Sequence, residues 1–186
     1  GDEDDYFQSG LFTIARRRIL WLLILVLANG LTTKVIAMND QILKEIVLLA
    51  AFIPLLIGTG GNVGAQSSTV VIRGLSTQKL KSMGAFKVVV KEAITGALLG
   101  ILMILVVFPF AWWQGEGPLI ASAVGISLIS ITTLAATAGA ILPLLFDRMG
   151  LDPALMSSPF ITTVTDIAGV FIYLSTANWL LNSSIL

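Results

Sequence analysis

Apolar residues fill this chain in five long blocks, each separated from the next by a short polar or charged segment. The blocks predict helices at about 16–38, 41–76, 85–111, 118–146 and 155–182, after a polar, acidic lead-in over residues 1–15. Each exceeds the ~20 predominantly apolar residues that cross a bilayer as a helix. The breaks carry turn chemistry: Asn39 and Asp40 after the first block, and Trp112, Trp113, Gln114 and Gly115 through Pro118 after the third. Met149 to Pro153 make the turn into the last. Paired tryptophans beside a turn suit the membrane–water interface. Pro54 and Pro143 lie inside the second and fourth blocks, where a missing backbone donor bends a helix.

The blocks differ in texture. GTGGNVG crowds four glycines into residues 58–64. Two readings stand: a kinked or partly unwound segment facing the protein interior or a pore, which is where irregular backbone is tolerated at membrane depth, or glycines that let helices approach closely. On the first reading Asn62 and Gln66, one turn apart, line the path. The stretch is not a nucleotide loop, because Gly64 is followed by Ala65 and Gln66 rather than Lys-Ser/Thr, and Val63 stands where a dinucleotide fingerprint needs its third glycine. Gly96 and Gly100 form a GxxxG pair, and SISITTLAATAGA in the fourth block favours helix–helix contact over lipid.

Composition agrees with a membrane-embedded chain. Of 186 residues, 56% are hydrophobic and 12% charged, about half the charged share of a soluble domain; mean hydropathy is +0.94. Net charge is zero, and no basic stripe exists to neutralise phosphates, so nucleic acid is not an expected partner. Cys and His are absent. That excludes disulfides, thiol chemistry and Cys/His metal sites and leaves oxygen donors, which suit hard cations. With five crossings and the N-terminus inside, Arg16, Arg17, Arg18, Arg73, Lys79, Lys81, Lys87, Lys91 and Arg148 fall on the cytoplasmic side and only Lys34 and Lys44 outside. This bias sets the N-terminus as cytoplasmic and the C-terminus as extracytoplasmic. Five helices suit poorly an internal two-fold repeat and favour a path on the axis of a dimer.

One residue stands apart chemically. Asp166 is the only charged residue from Pro153 to Leu186. An ionised carboxylate in a membrane helix costs a few kcal/mol or more, and no Lys, Arg or His on this segment can pair with it. A passing cation is the simplest partner. The competing reading is structural, with Asp166 hydrogen-bonded to Thr162, Thr163 or a neighbouring helix.

Three stretches carry a resemblance: PLLIGTGGNVGAQSSTVVIRGL (54–75), KEAITGALLG (91–100) and LDPALMSSPFITTVTDIAGVFIYL (151–174) resemble the membrane domain of the MgtE family of magnesium channels. The likeness runs from about Arg16 to the end. It implies an all-α integral membrane protein with five transmembrane helices per subunit. It also implies a homodimer in a bacterial inner membrane, with the pore on the two-fold axis, lined mainly by helices two and five. It places the pore aspartate at Asp166, the backbone carbonyl one turn earlier at Thr162, the asparagine of the glycine-rich segment at Asn62 and the acid of the cytoplasmic mouth at Asp152. Glu92 falls in a Lys-Glu pair facing the regulatory domains. Ser158 stands where some members have Asn, a departure that bears on any polar contact there. Full-length members carry a cytosolic N-terminal domain and paired CBS domains that bind Mg²⁺ and shut the channel; this sequence has neither, which fits an excised channel domain or a natural short member, and the acidic lead-in, which reads as the end of a connecting helix, favours the first.

The function so implied is conduction of hydrated Mg²⁺, with Mn²⁺, Co²⁺ or Ca²⁺ as further candidates. Two Asp166 carboxylates hold the ion through its water shell, since Mg²⁺ sheds water reluctantly. Against it stand a proton- or sodium-coupled divalent cation transporter using Asp166 as coupling acid, and a non-conducting assembly subunit. No nucleophile–base pair marks an enzyme.

Overall fold

The computed structural model describes residues 10–77, 80 and 84–183; most of the acidic lead-in, Lys79 and Lys81 lie outside the described residues. The described chain is helical and contains no strand: α1 (Leu11–Met38), α2 (Asp40–Glu45), α3 (Val47–Ser76), α4 (Ala85–Ala111), a π-helical turn (Trp112–Glu116), α5 (Gly117–Arg148) and α6 (Pro153–Ser183). Among the described residues four helices, covering Val47–Ser76, Ala85–Gln114, Gly117–Arg148 and Ser157–Asn182, are long and apolar enough to cross a membrane, and Leu22–Met38 is a shorter apolar stretch within α1.

The apolar blocks and the helices correspond closely from residue 85 onward. Earlier they differ. α1 begins at Leu11, ahead of the expected start near 16. The single helix expected over 41–76 is broken at Ile46, whose φ of −130° and ψ of 83° leave the helical region. The short α2 before it carries the Lys44–Asp40 ion pair, and the Asn39 side chain donates to the Val35 carbonyl at 2.8 Å, closing α1. The turn after α4 stays helical but widens to a π-turn, and Gly117, at φ 80°, then redirects the chain. Trp112 and Trp113 on that turn are exposed, as interfacial anchors should be.

α5 is the axis of the subunit. It packs against α4, α3 and α6, whereas α1 rests mainly on α6. The core gathers Leu49, Phe52 and Leu56 of α3, Val124, Leu128 and Ile131 of α5, and Val170, Tyr173 and Leu174 of α6. Small residues set the spacing. A Cβ on Gly96 would fall 2.5 Å from the Thr132 carbonyl oxygen, and one on Gly100 2.6 Å from the Ile129 Cα, so the GxxxG pair seats α4 directly on the α5 backbone. Gly64 and Gly139 meet in the same way where α3 crosses α5.

The C-terminal end of α5 closes in a Schellman arrangement. Gly150, at φ 72°, donates to the Asp147 carbonyl and Leu151 to that of Phe146 at 2.9 Å. Glycine adopts that left-handed conformation without a Cβ penalty.

Candidate ion site on the face shared by α3 and α6

The glycine stretch of α3 is continuous helix from end to end, so the close-approach reading holds and the unwound one does not. Its glycines divide by face. Gly60 and Gly64 are buried, with a Cβ on the first meeting Ile131 and Thr165, and one on the second meeting Ile161 at 2.5 Å. Gly58 and Gly61 have open space before them. These contacts fix the register between antiparallel helices: Gly60 lies at the height of Thr165, and Gly64 at that of Ile161. Asn62, between them on α3, is therefore level with the Thr162–Asp166 turn of α6.

The surfaces of the two helices differ from the rest of the subunit. Beyond Thr95 the exposed side chains of α4 are mostly large and apolar, among them Leu98, Ile101, Leu102 and Leu105, as lipid requires. The exposed positions of α3 include Gly58, Asn62, Ala65, Gln66 and Thr69, and those of α6 Ala154, Ser158 and Thr162, with Asp166 half-exposed. Towards the end of α3 that carries Arg73 the two helices part into a groove of about 510 Å³, lined by Ala65, Ser68, Thr69 and Arg73 of α3 and by Ala154 and Ser158 of α6, among others.

Asp166 projects from this strip one turn beyond Thr162. No described residue forms an ion pair or hydrogen bond with its carboxylate. The two threonines of the structural reading are turned to their own helix: Thr162 Oγ1 donates to the Pro159 carbonyl at 3.0 Å and Thr163 Oγ1 to the same oxygen at 2.9 Å. The Thr162 carbonyl already accepts the Thr165 hydroxyl at 2.9 Å, so any ion meeting that oxygen shares it. Among the described residues no three acidic side chains come together. A single subunit therefore offers a lone carboxylate and neutral oxygens rather than a cage.

The other two acids singled out by the sequence lie elsewhere. Asp152, exposed before α6, accepts a hydrogen bond from the Ala154 N–H at 2.8 Å and caps that helix. Glu92, half-buried on α4, accepts the Ser67 hydroxyl at 2.6 Å. It is engaged within the subunit, between α4 and α3. Two residues were passed over by sequence reasoning. Ser67 gave no signal, being 25 positions from its partner. Arg73 was read as a topology marker, although its spacing from Ala65 and Thr69 puts all three on one face of a helix.

Residues 53–176 match the MgtE family, described as a divalent cation transporter. The chain is 38% identical over 178 residues to a magnesium transporter MgtE of Thermus thermophilus, covering 96% of this chain and 39% of that protein. It is 34% identical over 168 residues to one of Enterococcus faecalis, covering 88% of this chain and 36% of that protein. It is 31% identical over 182 residues to one of Bacillus subtilis, covering 97% of this chain and 40% of that protein. The chain thus spans about two fifths of the length of the curated relatives it matches. With the match running unbroken from α3 through most of α6, the chain belongs to the MgtE family.

Proposed function

We propose that this chain forms the membrane pathway of a magnesium channel. Two copies face each other across their α3 and α6 strips, and Mg²⁺ passes between them. α1 and the four longer helices make five crossings, with the N-terminus on the cytoplasmic side of an inner membrane. The observation that carries this reading is Asp166: a carboxylate midway along a membrane helix, without a partner among the described residues, on a face where small and polar residues replace apolar ones. Lipid is a poor cover for such a face, since a charged group at that depth costs several kcal/mol. A second copy turns two lone carboxylates toward one axis. Kinship with magnesium transporters in three bacteria supports Mg²⁺ as the cargo.

The chemistry follows from the ligand set. Mg²⁺ demands octahedral oxygen geometry and gives up water reluctantly. Two carboxylates flanked by Thr162 and Asn62 hold the hydrated ion through its water shell, attract divalent over monovalent cations and repel anions. Neutral oxygens elsewhere keep the site weak enough for release.

The test is voltage-driven Mg²⁺ entry into liposomes without a proton or sodium gradient. Asp166→Asn should lower entry at least about tenfold, the scale of a lost charge-assisted contact of roughly 1.5–3 kcal/mol. Equal flux in the two proteins would remove Asp166 from the pathway. Flux that needs a proton or sodium gradient would replace the channel with a coupled transporter.

A further inference from the structure

The groove that continues the strip from Asp166 contains a positive charge. Ser158, two turns from Asp166 along α6 and so about 12 Å away along the axis, lines it together with Arg73 of α3. Arg73 is exposed, and no described residue pairs with its guanidinium. It is the one charged side chain among the described residues that line the groove. The N-terminal end of α6 borders the same space through Ala154, and its roughly +0.5 dipole charge is answered by the Asp152 carboxylate that caps it, which leaves Arg73 as the source of positive charge on the groove wall. Among the described residues, Asp147 and Arg148 at the end of α5 line a separate cavity with Leu75 and Leu80, and Lys91 and Glu92 of α4 line another with Val70 and Gly74 of α3. A cation route with a fixed cation at its mouth works against simple filling from that side.

Building on the function proposed above, we infer that Arg73 is an electrostatic brake. It makes the potential at the inner mouth of the path more positive than Asp152 alone would leave it, depresses divalent-cation occupancy there, and speeds clearance of an ion that has left Asp166. A unit charge at about 7 Å in water, roughly halved by screening at 0.1 M salt, lowers the local concentration of a divalent cation about threefold. A monovalent probe is affected by the square root of that factor, so the preference for an anionic over a cationic probe is also about threefold.

The chain has no cysteine, which allows a direct test. Ser158→Cys introduces a single thiol in the groove. Its reaction rates with anionic and cationic methanethiosulfonate reagents report the local potential in the full chain, whether or not ions flow. The anionic reagent should be favoured with Arg73 present, and Arg73→Gln should lower that preference about threefold at 0.1 M salt and hardly at all at 1 M. Arg73→Lys should keep it. In parallel, Mg²⁺ flux driven from the Arg73 side should rise about threefold in Arg73→Gln, again only at low salt. An unchanged reagent preference, or one that shifts equally at 1 M salt or in Arg73→Lys, would overturn the brake. A shifted preference in a protein that passes no Mg²⁺ would instead sink the channel reading and leave the charge in the groove established.

Discussion

Ser67 and Glu92 stand 25 positions apart and meet at 2.6 Å. Among the described residues the remaining side-chain hydrogen bonds join positions no more than four apart, so this contact alone ties one long helix to another through polar groups. It does so between α3 and α4, which otherwise scarcely touch. Ser67 is buried and sits beside Gln66 and Ser68, which face the strip and the groove. Ser67→Ala removes the donor and leaves a half-buried carboxylate unsatisfied, at a cost of about 1 kcal/mol. Glu92→Gln keeps an acceptor and should cost less. Thermal unfolding in detergent should rank Ser67→Ala below Glu92→Gln, and the reverse order would show that the contact does not hold the helices. Nothing in the sequence pointed to this pair, because a buried serine in a membrane helix looks the same whether it bonds its own backbone or a distant acid.

At the scale of the element, glycine placement separates packing from pathway. Gly100→Ala puts a methyl group 2.6 Å from the Ile129 backbone, and a misfit of that kind costs about 1–3 kcal/mol. Gly61→Ala meets nothing within 4 Å and improves helix propensity by up to about 1 kcal/mol. Unfolding should therefore show Gly100→Ala destabilised and Gly61→Ala no less stable than the parent. If Gly61→Ala proved as damaging as Gly100→Ala, the open face of α3 would have to be packed in the subunit. The sequence made the GxxxG pair legible, because its spacing alone selects one face. It left the fate of the 58–64 glycines open, because only the neighbours opposite Gly60 and Gly64 decide which of them are covered. α4 was readable to its ends, since Gly84 starts it at φ 81° and Trp112 follows its last turn. The break at Ile46 was not readable, since an isoleucine in an apolar run gives no stop signal; its extended conformation is imposed by the turn that the Asn39 cap and α2 build before it.

For the whole molecule, the question is what covers the α3 and α6 strip. Its residues suit neither lipid nor a finished protein surface, and the proposed partner is a second copy. Single-cysteine variants answer this without background from native thiols. Thr162→Cys and Asn62→Cys should give disulfide-linked dimers on mild oxidation in membranes, while Ile101→Cys, on the apolar face of α4, should remain monomeric. Cross-linking at Ile101→Cys with none at Thr162→Cys would place the interface on α4 instead. The site was partly legible at this scale. A lone acid in an apolar run announces itself, and Asn62 and Thr162 follow from the family pattern. The register that sets Asn62 level with Thr162 had to come from three dimensions, and so did the positive charge at the groove.

The attachment of α1 has a consequence for biosynthesis. Among the described helices α1 is made before the others, yet its principal neighbour in the finished subunit is α6, the last of them in chain order. α3 and α4 settle against α5 as soon as it is made. α1 must wait in the bilayer with little to hold it until α6 has passed through the translocation machinery. Assembly of the described helices is therefore closed by a late event joining the first of them to the last, and any lesion that delays α6 leaves α1 without its main contact while α3, α4 and α5 are already built.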